Sequence, residues 1–326
     1  MHSSQLSAYS SPTFLHHCFT DVDELSVMLN RHRQTSIDQL SPEPLQVQIY
    51  QADFGDLRLI HGIPNGPICN RGTRPENFIL FAIPLSSEQR FFIHNQPIFS
   101  HTLSCFDCSR GSVTVIPANT LFVELHIRRD LFETTLQAMR RDDLDARFFR
   151  QDFIHLPQTI LPYRNYVQEL VHLVRTKSPL LQTPEYRQMI LGDVIPLLID
   201  VIPRQKNPCV APSSIAHRAN LARQATDFIQ SHLHQPLTLK DIYQALGISR
   251  RTLFNSFENT FGATPIQYLK AQRLQGARKA LKKSAPQTIT VAQIANQWGY
   301  WDAAQFTKAY KKMFGELPSE TLKEGV

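Results

Sequence analysis

Between Val47 and Ile127 the apolar residues come in short runs separated by Gly, Pro and Asn. Val47-Gln48-Ile49-Tyr50 and Leu57-Arg58-Leu59-Ile60 alternate. Phe78 to Ile83, Arg90 to Ile93, Val113 to Ile116 and Leu121 to Ile127 are rich in β-branched and aromatic residues. Runs of this length and spacing predict an all-β sandwich or barrel. His94-Asn95-Gln96-Pro97 reads as a hairpin turn. After Arg128 the period changes. Leu131-Phe132, Leu136 and Met139 lie three to four apart, as on a helix, and Tyr163 to Val174 and Tyr186 to Ile202 follow suit. Pro196 predicts a kink or break in the second of these. Ahead of the strands, polar residues 1–13 predict a disordered tail, and Phe14 to Asn30 reads as a short helix. Residues 203–217 carry Pro and Ser and read as a linker. Everything from 218 to 326 is helical in pattern. The expectation is an α+β chain of two domains. Residues 14–202 form the first (β-rich at 47–127, helical at 131–202) and residues 218–326 the second.

The second domain contains a repeat. Leu237-Thr238-Leu239-Lys240-Asp241-Ile242 through Gly247-Ile248 matches Ile289-Thr290-Val291-Ala292-Gln293-Ile294 through Gly299-Tyr300 at an offset of 52. Leu253, Phe257, Phe261, Gly262 and Pro265 match Phe306, Tyr310, Phe314, Gly315 and Pro318 at an offset of 53, so one residue is inserted just past the turn glycine. Each copy predicts a capped short helix at Thr238/Asp241 or Thr290/Gln293. A glycine turn follows, then a second helix capped by Ser249 or Asp302. That is the helix-turn-helix pattern, whose second helix enters the DNA major groove. Between the copies, Thr264, Pro265 and Gln267 open one long helix, Pro265 to Lys282. At 1.5 Å per residue it is about 27 Å long, enough to hold two recognition helices about one DNA turn apart. Trp298, Leu246, Phe257, Phe261, Phe306 and Phe314 are expected in the core, and Arg273 is expected to pair with Asp241 or Asp227.

Charge sharpens this picture. The 326 residues carry a net charge of +6. Residues 213–326 hold 15 Lys+Arg against 7 Asp+Glu, leaving 19 against 21 in residues 1–212. A basic domain beside a nearly neutral one points to a polyanion partner. No apolar stretch reaches the roughly 18 residues of a membrane span. The N-terminus lacks the pattern of a secretory signal. Five cysteines are too few and too odd in number for a disulfide scaffold, so cytoplasmic localisation is expected.

From about Arg218 to Leu322 the register resembles the DNA-binding domain of the AraC/XylS family of transcription regulators. The likeness rests on Leu246-Gly247-Ile248-Ser249, Leu253, Phe257, Phe261-Gly262, Pro265, Tyr268-Leu269, Arg273-Leu274 and Ala277-Arg278. It continues in Ile294-Ala295, Gly299-Tyr300, Phe306, Tyr310-Lys311-Lys312, Gly315 and Pro318-Ser319. Tyr300 and Tyr310 replace the usual Phe, Leu317 replaces a common Thr, and the usual closing Tyr-Arg pair is absent. Gly55-Asp56-Leu57-Arg58-Leu59, Ile83-Pro84-Leu85 and Arg128-Arg129-Asp130-Leu131-Phe132 resemble the sensor domain of the subgroup that includes XylS and the ethanolamine-operon regulator. The resemblance implies a cupin-like β-barrel followed by dimerisation helices, hence a homodimer. It also implies an activator that contacts RNA polymerase and answers to a small-molecule effector.

Side chains pointing away from the apolar stripe of each second helix are the candidate DNA contacts. In the first copy they are Arg250, Arg251, Thr252 and Asn255, with Phe254 added by family alignment. In the second they are Ala303, Ala304, Gln305, Thr307 and Lys308. Arg suits guanine, Asn and Gln suit adenine, and Ala suits a thymine methyl. The helix N-termini near Thr238 and Thr290 are candidate phosphate contacts. A cupin-type metalloenzyme is the alternative. The best ligand pair for it is Glu124 and His126, two apart on one strand face; His61, His94 and His101 are scattered. Cys105-x-x-Cys108 lacks a second half, and free thiols are expected there. No catalytic motif or cofactor fingerprint occurs, so neither enzyme activity nor a cofactor is expected. An architectural DNA binder with no effector is the remaining possibility. Phe78, Phe81, Phe91 and Phe99 would line an effector pocket or fill the core.

Overall fold

The computed structural model describes residues 13–325 apart from 31–33, 74–76, 86–90, 94–95, 107–111, 146–147, 149–152, 157–158, 178 and 205–212. The N-terminal half is two antiparallel sheets. Seven strands run in the order β1(Thr13–Phe19)-β3(Val47–Asp53)-β4(Leu57–Pro64)-β11(Phe122–Arg128)-β6(Phe78–Pro84)-β9(Thr102–Phe106)-β12(Phe153–His155). Five run β2(Thr35–Gln39)-β5(Ile68–Gly72)-β10(Ser112–Ile116)-β7(Phe91–Ile93)-β8(Gln96–Ile98). Among the described residues the strands are therefore divided between two sheets and not joined in one ring.

The centre of the seven-stranded sheet is buried on both faces, which is why β4, β6 and β11 read as nearly continuous apolar runs. Alternate residues divide between two cores, as the period of a strand demands. Phe81, Val123 and Leu125 face α2(Arg129–Ala138), α3(Ile160–Arg175) and α4(Pro184–Asp200). Leu80, Ala82 and Phe122 face the other sheet and α1(Val22–Asn30). Two of the three sensor-like motifs of the sequence meet here, with Arg128 2.6 Å from Asp56.

Several expectations change. Residues 14–30 are not one helix. Thr13–Phe19 pairs along all of β3, and only Val22–Asn30 is helical. The sheet edge supplied by β3 decides the conformation of a segment whose own pattern is ambiguous. Pro196 does not split its helix, which runs unbroken from Pro184 to Asp200. The proline removes the backbone hydrogen bond that position 196 would donate to residue 192, and the turns on either side hold the helix together. α5(Ser213–Ser231) begins inside the stretch read as linker. Of the expected His94-Asn95-Gln96-Pro97 turn, Gln96 and Pro97 lie in β8, where Gln96 pairs with Ile93, and His94 and Asn95 lie outside the described residues. Phe81 is core on the helix side, not a pocket wall. Phe78 lies half-buried under Arg58, and Phe99 stacks on His101. The Phe91 side chain lies outside the description.

The C-terminal helices are α5, α6(Leu239–Ala245), α7(Arg250–Phe261), α8(Pro265–Lys282), α9(Val291–Gln297), α10(Ala303–Phe314) and α11(Pro318–Glu324). Their caps are those the sequence predicts. Thr238/Asp241, Thr264/Gln267 and Thr290/Gln293 form capping boxes, and Ser249 and Asp302 cap α7 and α10. Gly262 and Gly315 end their helices in the left-handed conformation at φ 62° and 79°. α8 spans two separate cores. Tyr268 and Leu269 pack with Phe257 and Phe261 of the first copy; Leu274, Ala277 and Leu281 pack with Phe306, Tyr310 and Met313 of the second. Trp298, Leu246 and Phe314, expected as core, are only half-buried. Where the closing Tyr-Arg pair is missing, α11 is held by Thr321, whose hydroxyl lies 2.8 Å from both the Tyr310 hydroxyl and Glu316.

A Cβ on Gly276 would sit 2.0 Å from the Trp298 ring, so the glycine is the seat on which the indole packs. Alanine in a helix interior normally stabilises relative to glycine. Here the sign reverses. Gly276→Ala is expected to lower the unfolding free energy by about 1–3 kcal/mol through overpacking. A urea titration checks this, and a midpoint equal to or above that of the wild type would refute the tight seat.

Candidate nucleic-acid interface

The two second helices present different faces outward. On α7, Leu253, Ser256, Phe257, Thr260 and Phe261 are buried. Arg250, Arg251 and Asn255 are exposed, Thr252 is half-buried with its N–H donating to the Ser249 cap, and Phe254 is half-buried. The Arg250 guanidinium lies 5.2 Å from the Phe254 ring centre, so the two form one cation–π unit at the helix surface. On α10, Phe306, Tyr310 and Met313 are buried, whereas Ala303, Ala304, Gln305 and Lys308 are exposed and Thr307 is half-buried. The Asp302 carboxylate accepts the Ala304 and Gln305 N–H groups, which starts the helix with Gln305 held in its first turn. The candidate contacts of the two second helices therefore all lie on α7 and α10, with none in the core, while Thr238 and Thr290 cap the preceding helices α6 and α9.

Arg273 does not pair with Asp241 or Asp227. Its Nη2 donates to the Gln235 carbonyl at 2.8 Å, and its guanidinium lies within 3 Å of where a Cβ on Gly299 would stand. Asp241 is committed to the α6 cap and Asp227 to Arg223. Burial holds the Arg273 guanidinium below its ordinary pKa. It joins the segment between α5 and α6 to α8 and the second turn.

Sequence reasoning missed the largest electrostatic feature. Two basic residues of α8 bind the N-terminal domain. Arg278 Nη1 lies 3.1 Å from Asp21 and its Nε donates to Glu316 at 3.0 Å. Lys282 Nζ donates to Asp21 at 2.6 Å and to Asp23 at 3.0 Å. Burial alone would raise the Asp21 carboxyl, but Lys282 and Arg278 hold it below the usual carboxylate range. Beside this cluster, the Gln39 backbone N–H donates to Gln275 Oε1 at 3.0 Å, and Gln275 Nε2 donates back to the Gln39 carbonyl at 2.8 Å. Gln39 Nε2 also donates to the Met313 carbonyl. Arg71 of β5 reaches both Asp38 and the Tyr268 hydroxyl. Leu40, Cys69 and Val115 complete an apolar seam with α5 to α8. Its dryness pushes the Cys69 thiol up to about 11. A cleft of about 650 Å³ opens beside this contact, lined by Asp21, Glu24, Arg278, Lys282, Phe314 and Glu316 among others.

The residues of the metal alternative are only partly brought together. Glu124 and His126 do share the inter-sheet side of β11, 3.2 Å apart and both buried. Among the described residues, however, no group of three or more His, Cys, Asp and Glu is placed to hold a metal. His61 is buried with its Nδ1 on the Phe122 carbonyl, and burial lowers its pKa, so it is neutral. Cys105 is buried, and Cys108 lies outside the described residues.

Residues 242–324 match the family model described as a helix-turn-helix domain. Over 145 residues the chain is 34% identical to the "Probable thc operon regulatory protein" of Rhodococcus erythropolis, covering 44% of this chain and 42% of that protein. Over 101 residues it is 30% identical to the "XylDLEGF operon transcriptional activator" of Pseudomonas putida, 31% of this chain and 32% of that one. The C-terminal domain is an AraC/XylS-type helix-turn-helix domain. The chain spans less than half the length of these curated relatives. Among solved structures it is similar to a probable AraC family transcriptional regulator from Rhodopseudomonas palustris. That match is 33% identical, covers 33% of this chain and 99% of that one, and has a TM-score of 0.31. No helix among the described residues is long and apolar enough to cross a membrane.

Proposed function

We propose that this protein is a transcription regulator of the AraC/XylS type that binds double-stranded DNA in a sequence-specific way. The observation that carries the reading is the pair of outward faces on α7 and α10, tied to one stiff helix, in the basic third of the chain. In this reading Arg251, Asn255 and Gln305 read base edges; Arg250, Thr252, Ala303, Ala304, Thr307 and Lys308 complete the two contact faces. The role is regulatory and not enzymatic, and it is exercised in the cytoplasm, with activation through RNA polymerase. The N-terminal domain, residues 14–202, acts as a cupin-like sensor. A second copy pairs through its helices, a reading supported by the exposed Leu161, Met189 and Leu197 on α3 and α4. The effector is a small molecule. The space between the two sheets holds only about 30 Å³, room for roughly one water. The interdomain cleft falls within the few hundred to about 1,000 Å³ typical of ligand sites and is the better candidate.

Genome-wide mapping of bound DNA, with wild type and with the double variant Arg251→Ala/Gln305→Ala, tests the reading. Discrete sites that vanish in the variant are expected. Diffuse binding unaffected by the substitutions would replace the reading with an architectural, backbone-only binder. A saturable shift in DNA affinity on adding a small molecule would establish the effector.

A further inference from the structure

The two helix-turn-helix copies differ by one residue, and that residue is a tryptophan. In the first copy the turn runs Gly247-Ile248-Ser249, and in the second Gly299-Tyr300-Trp301-Asp302. Both glycines have positive φ, 62° and 76°, and both N-caps serve their helices, so the extra residue lies between turn and cap. Tyr300 takes the inward place of Ile248. It is 8% exposed, and its ring lies 5.2 Å from Phe306. Trp301 is thereby left with no packing role and is 76% exposed, the most exposed large apolar side chain among the described residues. The chain's other tryptophan, Trp298, packs against His234 and the Gly276 seat instead. An indole held in water at a fixed turn is unfavourable for an isolated protein, since its large apolar surface gains only when covered.

What covers it follows from its neighbours. Residues 301–305 form one unbroken exposed run, from the indole through Asp302, Ala303 and Ala304 to Gln305. The side chain therefore borders the proposed base-reading face at the end where α10 would enter a groove. Lys308 continues the same face one turn on. The α10 N-terminus is already closed by Asp302, so a phosphate there would meet a carboxylate and not open N–H groups. An indole suits the neighbouring strand better. Its ring can lie on deoxyribose, and its N–H can donate to a phosphate oxygen. We infer that Trp301 is a DNA-backbone contact that clamps the second recognition helix in its groove, an element the first copy lacks. The inference rests on the DNA-binding reading above.

A backbone contact carries no sequence information, and the test uses that property. Wild type, Trp301→Ala, Trp301→Phe and Gln305→Ala are titrated, as full chains, against a random-sequence duplex of about 40 base pairs at low salt and against a mapped site. Trp301→Ala is expected to weaken both by a similar factor, about five- to tenfold, whereas Gln305→Ala weakens only the mapped site. Trp301→Phe should recover part of the loss. Iodide quenching of tryptophan emission should fall when wild type binds DNA, and this protection should vanish in Trp301→Phe, whose only indole is Trp298. Unchanged thermal stability of Trp301→Ala is expected from its exposure and keeps the affinities comparable. If Gln305→Ala weakens the mapped site but Trp301→Ala binds both duplexes like wild type, the inference is overturned and the DNA-binding reading stands. If wild type binds neither duplex saturably, both fall. Unchanged DNA affinity with lost activation would assign Trp301 to a protein partner and also overturn the inference.

Discussion

Phe306→Ala is expected to melt the second helix-turn-helix unit while leaving the rest of the chain folded. Phe306 is fully buried between Tyr300 and Tyr310, with ring centres 5.2 and 5.5 Å away. Removing a buried phenyl ring costs about 3–5 kcal/mol, the lost transfer free energy plus the cavity left behind. The loss falls on a small core. The second unit's buried residues come from α8 to α11 alone, with none from the sheets. The first unit differs, because Leu40, Cys69 and Val115 of the N-terminal domain belong to the same cluster as Phe257 and Phe261. Phe257→Ala should therefore destabilise the first unit and its seam with the sheet together. Denaturant titrations followed by tryptophan emission and by far-UV circular dichroism separate the two cases. An early tryptophan transition is expected in Phe306→Ala, ahead of the β signal. Coincident transitions in Phe306→Ala would show that α8 couples the units more tightly than their separate cores imply.

Asp21→Asn is expected to loosen the DNA-binding domain from the N-terminal domain. Asp21 faces both Arg278 and Lys282, and the Arg278–Asp21 pair is largely dry, with side-chain exposures of 10% and 13%. Breaking a buried pair by removing one partner costs about 3–5 kcal/mol when the survivor is stranded. Arg278 keeps Glu316 and Lys282 keeps Asp23, so about 1–3 kcal/mol is expected here. The pH dependence has a definite sign. The carboxyl of Asp21 is held below its ordinary value, so its contribution is complete above about pH 4 and is lost as pH falls through the lower folded-state value. Docking should be flat from about pH 5 to 8 and fail only in acid. Amide hydrogen exchange of β2 and α8 measures it: faster exchange in Asp21→Asn, with β4 and β11 unchanged. If exchange at β2 and α8 matches wild type, the charge cluster is incidental and the Gln39–Gln275 bonds with the apolar seam hold the domains alone.

These expectations separate what is local from what is not. The helix caps, both turn glycines, the long helix from Pro265 to Lys282 and the outward placement of Arg251, Asn255 and Gln305 were legible in the chain. Each depends on residues within a turn or two of one another, where capping chemistry and the 3.6-residue period act directly. The long apolar strands were legible for the same reason: β4, β6 and β11 are buried on both faces and need no partner to be recognised as strands. The short and polar strands were not. β1, β2, β5, β8, β9 and β12 carry weak patterns, and their conformation is set by the neighbour each pairs with. The domain contact was invisible for a stronger reason. Asp21 and Lys282 are 261 residues apart, and Gln39 and Gln275 are 236 apart. In the sequence Arg278 and Lys282 are simply cations on a basic helix, free for a polyanion. Only the tertiary structure brings carboxylates to them, because the pairing depends on where β2 and the start of α1 come to rest against α8, and no local pattern encodes that position. The sequence by itself determined two outward-facing second helices on one rod; the tertiary structure decided that the rod is held by the other domain.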